Sequence, residues 1–494
     1  MIVWGISANS HDASLAVFNQ ELTELDLVFA SHSERFSGIK NDSHLSQEMV
    51  SYAMKKHGHP DHVVWYERPF KKTLRQLMAG QGWNYQENNI KKYLQQYDIP
   101  THNLSYVDHH HAHAAAGYYT SEFTDATVIV IDSIGEFETM TIWEAAGTTL
   151  KKKFSQRYPH SIGLWYSAMT DRIGLKANED EYILMGMAAY GNPLTHYWDI
   201  TGDFFDSFGS EYNTKIKFSK NLHQGCRDWR PDLRSQQDFF NIAAATQEVY
   251  EALLKNICDW ALKNCKSKNL VLMGGCALNC KANSKIKNLW DDVWIMPNPG
   301  DAGSAIGAVL AHYKQPITWT GPYLGYNIDR PYPVEQLIKE LKRSGIVGVA
   351  NGPAEFGPRA LGNRSLLADP RGIHIKHRVN EIKKRQQFRP FAPAILEEHA
   401  AEYFDGPVSS YMQYTAVCRF PERFPAIVHK DGTSRVQTVS KTDRSGFRQL
   451  LEQWYAETGC PMLLNTSLNI KGRPMVNTWN DGQQFAKYYN VKVY

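Results

Sequence analysis

No stretch of this chain approaches the roughly 18 uninterrupted apolar residues that a membrane helix needs, so no membrane association is expected. The opening MIVWGISANSHDASLAVF has neither a basic n-region nor a small-residue cleavage site; it is expected to be the first strand of the fold. Cysteine is scarce: seven in 494 residues, an odd number at scattered spacing. That pattern excludes a disulfide framework and points to reduced thiols in a cytoplasmic protein. Cys276 and Cys280 form one CxxxC without a second pair, and are expected as small buried hydrophobes rather than metal ligands. Neither charge sign dominates. The 54 Lys+Arg against 51 Asp+Glu leave a formal +3, which demands no polyanionic partner. Internal repeats and low-complexity tracts are also missing, which excludes solenoid and propeller architectures.

What is present is enough chain for two cores. A strand near Ile2 to Ile6, a small-polar corner holding His11 and Asp12, and a second strand from Ala13 to Phe18 open the sequence. Ala126 to Trp143 repeats the pattern, with a Gly-bearing turn between two apolar runs. Two such strand pairs predict the duplicated halves of an actin-like α/β domain. Residues 44 to 120 between them are expected to be mostly helical, and residues 237 to 265 to form a long amphipathic helix. A Pro-, Gly- and Tyr-rich stretch near 314 to 332 marks a boundary, giving expected domains at 1–325 and 330–494. The second opens with a helix, Val334 to Arg343, and a strand, Ile346 to Ala350, that runs into EFGPRALGNRS, Glu355 to Ser365.

That last segment has the build of an anion-holding loop. Gly357 and Gly362 let backbone N–H groups approach closely, Pro358 fixes one φ, and Arg359 and Arg364 supply guanidinium forks suited to phosphate. Lys383, Arg385 and Arg389 follow in KKRQQFRPFAP, and cations this dense repel one another unless an anion lies among them. In the first domain, His109 and His113 stand four apart in an alanine-rich stretch, on one helix face and able to share a metal. His110 and His111 are expected to face solvent or support their neighbours. Asp132 ends an apolar run just before Gly135 and Glu136, and Asp301 lies in PNPGDAGSAIGA at a turn into a helix. Two histidines and two carboxylates favour iron(II), manganese or zinc over calcium, although spacing alone leaves open an ordinary core histidine beside a surface one. GGCALN, with Gly274, Gly275 and Asn279, is a glycine turn that could hold a nucleotide at a helix N-terminus. His11 and Asp12 are open between acid–base work and turn chemistry.

In order along nearly the whole chain, ISANSHDASLAV, SERFSGIKND, DHHHAHAAA, IDSIGE, MGMAAYGNP, GGCALNCKAN, PGDAGSAIGA, EFGPRALGNRSLLADPR, FRPFAPAIL and LLNTSLNIKGRP resemble the NodU/CmcH O-carbamoyltransferases. The resemblance implies an N-terminal actin-like domain (ASKHA, duplicated ribonuclease-H-like) and a C-terminal α/β, YrdC-like domain that forms carbamoyl-AMP from carbamoyl phosphate and ATP, with magnesium accompanying the ATP. It implies that Arg359, Lys383 and Arg389 bind carbamoyl phosphate, with Arg364 and Arg385 beside them and Asn465, Thr466, Ser467 and Asn469 lining the pocket. It further implies a metal, iron(II) in the first instance, on His109, His113, Asp132 and Asp301. His11 would be the general base, and Gly274, Gly275 and Asn279 would hold the adenosine. Ile183, Gln386 and Leu468 depart from the usual lysine, glutamate and phenylalanine.

The partner so implied is an acceptor with a free hydroxyl, and a homodimer is compatible with the pattern. Residues 213 to 234 interleave Lys215, Lys217, Lys220, Arg227, Arg230 and Arg234 with Phe218 and Trp229, as a nucleic-acid surface would, although Asp228 and Asp232 dilute the charge and a solvated basic loop is the plainer reading. This leans the acceptor toward DNA bearing 5-hydroxymethylcytosine; a sugar or natural-product hydroxyl is the alternative. A sugar-kinase-like phosphotransferase and a non-catalytic nucleotide-binding scaffold are the readings from other classes.

Overall fold

The computed structural model describes residues 1–22, 24–206 and 215–494, which divide into two units. The first comprises Met1–Ser33 and Asn41–Thr320, the second Glu34–Lys40 and Gly321–Tyr494. The division falls in the Pro- and Gly-rich stretch, and a short N-terminal segment belongs to the second unit. Among the described residues no helix is long and apolar enough to cross a membrane.

The first unit is a duplicated α/β fold. Strands β1 (Ile2–Ser7), β2 (Ser14–Glu21), β3 (Glu24–His32), β4 (His62–Trp65) and β5 (Leu104–Tyr106) form a sheet in the order 3-2-1-4-5. β1 to β3 are antiparallel, and β4 and β5 run parallel to β1. A second sheet repeats this plan with β6 (Asp125–Gly135), β7 (Glu138–Ala146), β8 (Thr149–Arg157), β9 (Asn269–Met273) and β10 (Asp292–Trp294), in the order 10-9-6-7-8. β6 takes the place of β1, with β7 antiparallel on one side and β9 parallel on the other. The repeated order identifies the actin-like architecture from topology alone.

The regular structure from 44 to 120 is mostly helical, as expected, but the stretch also contributes β4 and β5. They are only four and three residues long, too short for alternation to show, and β4 is buried on both faces. The long helix runs from Gln236 to Asn264 and starts on a reciprocal Ser235–Asp238 capping box. Val3, Trp4 and Ile6 of β1 are fully buried, each worth about 2 kcal/mol of apolar transfer. Helix Ser304–Tyr313 packs on helix His109–Tyr118 through Gly307, where a Cβ would lie 1.9 Å from the Ala112 carbonyl oxygen. Glycine lets the two backbones meet, and this contact sets the histidine helix against the helix that follows Asp301.

The second unit contains a two-stranded antiparallel sheet of β11 (Tyr323–Ile328) and β13 (Gly352–Glu355), and a mixed five-stranded sheet that includes β12 (Ile346–Ala350), β14 (Arg364–Ala368) and β15 (Ala392–Leu396). A small sheet follows from β16 (Phe404–Asp405), β17 (Ala416–Cys418) and β18 (Thr433–Ser434). With β19 (Gln437–Val439) and β20 (Met462–Ser467) the main sheet reads 12-14-20-15-19. Helix Val334–Ser344 packs its Leu337, Ile338 and Leu341 into the core with Val347, Leu366 and Leu464. The anion-loop candidate joins β13 to β14, so both its ends are fixed by sheet hydrogen bonds.

Candidate functional site

The alanine-rich helix His109–Tyr118 begins after Asp108, whose carboxylate accepts from Arg68 and Lys71 rather than from the helix N–H groups, and His109, His110 and His113 are buried in the first unit. Its i, i+4 spacing brings His109 and His113 together, with their Nε2 atoms 3.1 Å apart. β6 delivers Asp132, whose Oδ2 is 3.3 Å from His109 Nε2, and the turn before Ser304 delivers Asp301, whose Oδ1 is 3.3 Å from His113 Nε2. Ligand atoms of all four residues lie within 4.8 Å of one another. Gly135 closes against the cluster: a Cβ there would sit 2.1 Å from His109 Cδ2. Asp132 Oδ1 accepts the Gly275 N–H at 3.1 Å, which aims the other carboxylate oxygen inward.

The donor set fits a divalent cation. Two nitrogens and two oxygens at about 2.0–2.2 Å from one centre lie about 3.0–3.6 Å from each other; four pairs here are 3.1–3.4 Å apart, and His113 Nε2 is 3.8 Å from Asp132 Oδ2, so a small inward shift of the carboxylates would close the set on a cation. Without a cation, burial opposes charge on His109, but Asp301 and Asp132 outweigh it and hold its pKa well above the ordinary value. Burial likewise opposes charge on Asp301, while His109 and His113 hold its carboxyl far below the usual range. His110 is fully buried, so of its two expected roles, facing solvent or supporting its neighbours, the first is excluded. It bonds Thr141 Oγ1 at 3.0 Å, and burial keeps it neutral, with a pKa well below the ordinary value. His111 stacks on Trp143.

His11 sits in the corner between β1 and β2 with its ring 41% exposed. Its Nε2 meets the carbonyl oxygen of Asn178, which only accepts, so this nitrogen carries a proton. Nδ1 lies 3.6 Å from Asp12. Burial works against the imidazolium, but Asp12, Asp301 and the Asn178 carbonyl prevail and raise the pKa to about 9. Asn178 is held at φ +62°, and its N–H donates to Glu181 at 2.6 Å. Sequence reading missed this brace, because nothing in LKANED signals contact with residue 11.

The GGCALN turn follows β9. Gly274 N–H donates to the Pro299 carbonyl and Gly275 N–H to Asp132, so Gly275 ties the turn to the His109–Asp301 cluster. Asn279 caps the helix Cys280–Ile286 and exchanges amide hydrogen bonds with Gln247 at 2.9 and 3.0 Å. Gln247 in turn bonds Tyr166 and Glu251, making a buried polar cluster beside the turn. Cys280 is buried and Cys276 half-buried, and neither joins a metal cluster among the described residues.

In the second unit the glycine–arginine loop is wound around an anion of its own. The buried Glu355 Oε1 accepts the backbone N–H groups of Leu361 at 2.7 Å, Asn363 at 2.9 Å and Arg364 at 3.2 Å. Gly362 N–H goes to Ser365 Oγ. These loop amides are therefore already occupied, a correction to their expected role as ligand donors. Arg364 is corrected too. It is fully buried, and its guanidinium donates to the carbonyls of Asn477, Asn351, Gly352, Asn363 and Tyr326, leaving it a brace for the loop.

Lys383, Ser467 and Asn469 do come together. The buried Lys383 ammonium donates to Ser467 Oγ at 3.2 Å, to the Asn469 carbonyl at 3.1 Å and to Asn469 Oδ1 at 2.8 Å. Burial, then Arg385 and Arg389, push its pKa well below the ordinary value. Arg385 donates to Asn380 at 2.7 Å and lies over the Phe391 ring. Asn465 bonds the Ala360 carbonyl at 3.0 Å and so joins β20 to the residue after Arg359, which is half-buried.

Residues 61–310 match the family model for the carbamoyltransferase N-terminus, and residues 338–494 that for the carbamoyltransferase C-terminus. The chain belongs to the carbamoyltransferase family. An uncharacterized protein of Synechocystis sp. is 32% identical over 97% of this chain and 93% of its own length. Nodulation protein NolNO of Sinorhizobium fredii is 30% identical over 92% of this chain and 74% of its own. Among solved structures, T. kodakarensis HypF aligns over 63% of this chain and 48% of its own at 12% identity, with a TM-score of 0.38.

Within this carbamoyltransferase the basic segment is not the surface its composition predicts. Asn213 and Thr214 lie outside the described residues. Phe218 and Trp229 are buried against Phe205 and Phe204, so neither ring is presented for stacking. Arg227 makes a two-point pair with Asp171 at 2.6 and 2.7 Å, and Arg230 pairs with Asp199 at 2.9 Å. The interleaved aromatics that leaned the reading toward a binding face are used by the fold as core.

Proposed function

We propose that the protein is an ATP- and carbamoyl-phosphate-dependent O-carbamoyltransferase. The observation that carries this reading is the buried Lys383 ammonium, held by neutral oxygens with Arg385 and Arg389 beside it. Packing cations together lowers the pKa of Lys383, and a bound dianion relieves that repulsion. Carbamoyl phosphate supplies such a dianion, with Arg359 as a further ligand and Ser467 and Asn469 as neutral walls. Water releases phosphate from the donor, and the carbamate attacks ATP to give carbamoyl-AMP and pyrophosphate. The acceptor hydroxyl then displaces AMP.

The second half-reaction is assigned to the first unit. A divalent metal, iron(II) in the first instance, bound there by His109, His113, Asp132 and Asp301, would act as a Lewis acid toward the leaving phosphate. His11 is assigned the acceptor proton, with Nδ1 as the accepting atom because the Asn178 carbonyl holds the proton on Nε2. Against burial, Asp12 first, and Asp301 after it, raise its pKa to about 9, so the base role requires a bound cation and substrate to offset that pull. Gly274, Gly275 and Asn279 are assigned to the adenosine. A nucleic-acid acceptor loses its support, because the aromatics that favoured it are buried.

Pyrophosphate release tests the reading. The unaltered protein with ATP should release pyrophosphate only when carbamoyl phosphate is present, and AMP only when an acceptor is added. ADP as the nucleotide product would establish a kinase instead.

A further inference from the structure

SERFSGIKND, Ser33 to Asp42, is one of the segments on which the family resemblance rests, yet it carries none of the groups assigned above to either half-reaction. Its Glu34–Lys40 stretch belongs to the second unit, although it comes from the N-terminal part of the chain. Two contacts join it to that unit. Arg35, with its side chain 1% exposed, donates from Nη2 to the Gly357 carbonyl at 2.9 Å. Phe36 packs edge-on against Tyr326 of β11, with ring centroids 6.2 Å apart, and the Tyr326 carbonyl accepts from Arg364. Glu34 keeps a carboxylate oxygen 4.0 Å from Arg35 Nε and pairs with Lys40 at 2.9 Å.

The residue that Arg35 grips lies two positions before Arg359. Beyond Arg359 the loop is held residue by residue. Asn465 donates to the Ala360 carbonyl at 3.0 Å, Gln437 and Tyr323 to that of Leu361 at 3.0 and 3.1 Å, and Tyr332 to that of Gly362 at 3.0 Å. On the near side, Phe356 N–H donates to the Pro322 carbonyl at 2.7 Å, and the next residue is the one Arg35 takes. Gly357 and Ala360 are buried, whereas Pro358 is exposed and Arg359 half-buried. Arg359 therefore emerges between two anchored carbonyls, one held by Asn465 and the other by Arg35.

Gly357 is where this frame is softest. Its φ of +152° suits glycine, and Pro358 after it has no N–H with which to hold the turn. A charge-assisted bond on the Gly357 carbonyl fixes the Gly357–Pro358 peptide; without it that peptide is free to rotate, and Arg359 turns with it. Being enclosed, Arg35 acts through Arg359 rather than on a ligand.

We propose that Arg35 is a positioning residue for the donor: by holding the Gly357 carbonyl it aims Arg359 at carbamoyl phosphate. This rests on the carbamoyl-transfer reading and adds to the second unit's site a residue from the N-terminal part of the chain. Steady-state pyrophosphate release by the full chain, with carbamoyl phosphate and ATP varied in turn, tests it. Arg35→Met keeps most of the side chain's length and removes its donors. It should raise KM for carbamoyl phosphate about tenfold, the loss of one hydrogen bond from a charged group, and leave KM for ATP and kcat within about twofold. Arg35→Lys, which reads the same quantity if the methionine variant folds poorly, should raise that KM about threefold. Added to Arg359→Lys, Arg35→Met should cost less than about threefold more, because the group it aims is already altered. Unchanged KM for carbamoyl phosphate in both Arg35 variants would overturn the assignment. So would parallel rises for carbamoyl phosphate and ATP, which mean general damage to the unit, or a full tenfold effect on top of Arg359→Lys. Absence of carbamoyl-phosphate-dependent pyrophosphate release from the unaltered protein would sink the carbamoyl reading and this assignment with it, whereas release with unchanged KM values sinks the assignment alone.

Discussion

His109 and His113 face each other through Nε2 atoms 3.1 Å apart, in a buried pocket whose other walls are the Asp132 and Asp301 carboxylates. Two nitrogen lone pairs at that distance repel unless a proton or a metal lies between them. His113→Ala removes one donor of four without touching the sheet. The variant should bind iron(II) or zinc about 100-fold more weakly, read by metal analysis after dialysis against a graded chelator. It should still release pyrophosphate while acceptor carbamoylation disappears. Metal retained at full stoichiometry would remove His113 from the ligand set.

The same logic of an enclosed charge applies to Glu355, around which three loop amides turn inward. Glu355→Ala strands those N–H groups in a buried loop. Each lost charge-assisted bond costs about 1 kcal/mol or more, so a loss on the order of 3 kcal/mol is expected, read as a lower melting temperature in calorimetry. Glu355→Gln keeps the accepting oxygen and should lose less. Equal melting temperatures for all three proteins would mean the loop holds itself without its internal anion.

Two arginines five residues apart have opposite assignments. Arg364→Met strips donors from five carbonyls in a buried position and should destabilise by on the order of 3 kcal/mol or more. Arg359→Ala, at a half-buried position, should keep stability within about 1 kcal/mol and abolish pyrophosphate release. Paired melting curves and pyrophosphate assays separate the two. A stable but inactive Arg364→Met protein would reverse the assignment.

These cases show what the letters carried. The i, i+4 histidines, the two hairpins and the Ile346–Ala350 strand are local patterns, and local patterns fix local structure. Asp132 and Asp301 could be nominated as ligands because turns at strand ends and helix starts point side chains into an active cleft. Arg364 was misread because donors on a loop look alike in sequence, whether they face a ligand or their own backbone. Glu355 hid for the same reason: a carboxylate before a glycine turn gives no sign that the turn will wrap it. Phe218 and Trp229 were misread because burial is decided by tertiary packing on Phe204 and Phe205. The short strands β4 and β5 were lost because three or four apolar residues have no readable period.

Glu136 offers a pH test of the region beside the His109–Asp301 cluster. It is buried, sits at φ +53°, and its Oε1 accepts the Arg68 N–H at 2.6 Å. Burial, and secondarily Asp108, raise its pKa from 4.5 to about 7 against the lowering pull of the Arg68 N–H, His109 and Lys71. Between those two values the folded protein keeps a proton that the unfolded chain has lost. Raising pH from 4.5 to about 7 therefore removes stability, in total on the order of 3 kcal/mol, and above that range the penalty is constant. Glu136→Gln has the shape of the protonated acid and cannot ionise, so its stability should fall less over this window. The two proteins should melt alike near the lower end, and the variant should melt higher above pH 7. Parallel melting curves across the whole range would mean that Glu136 titrates as an ordinary exposed carboxylate.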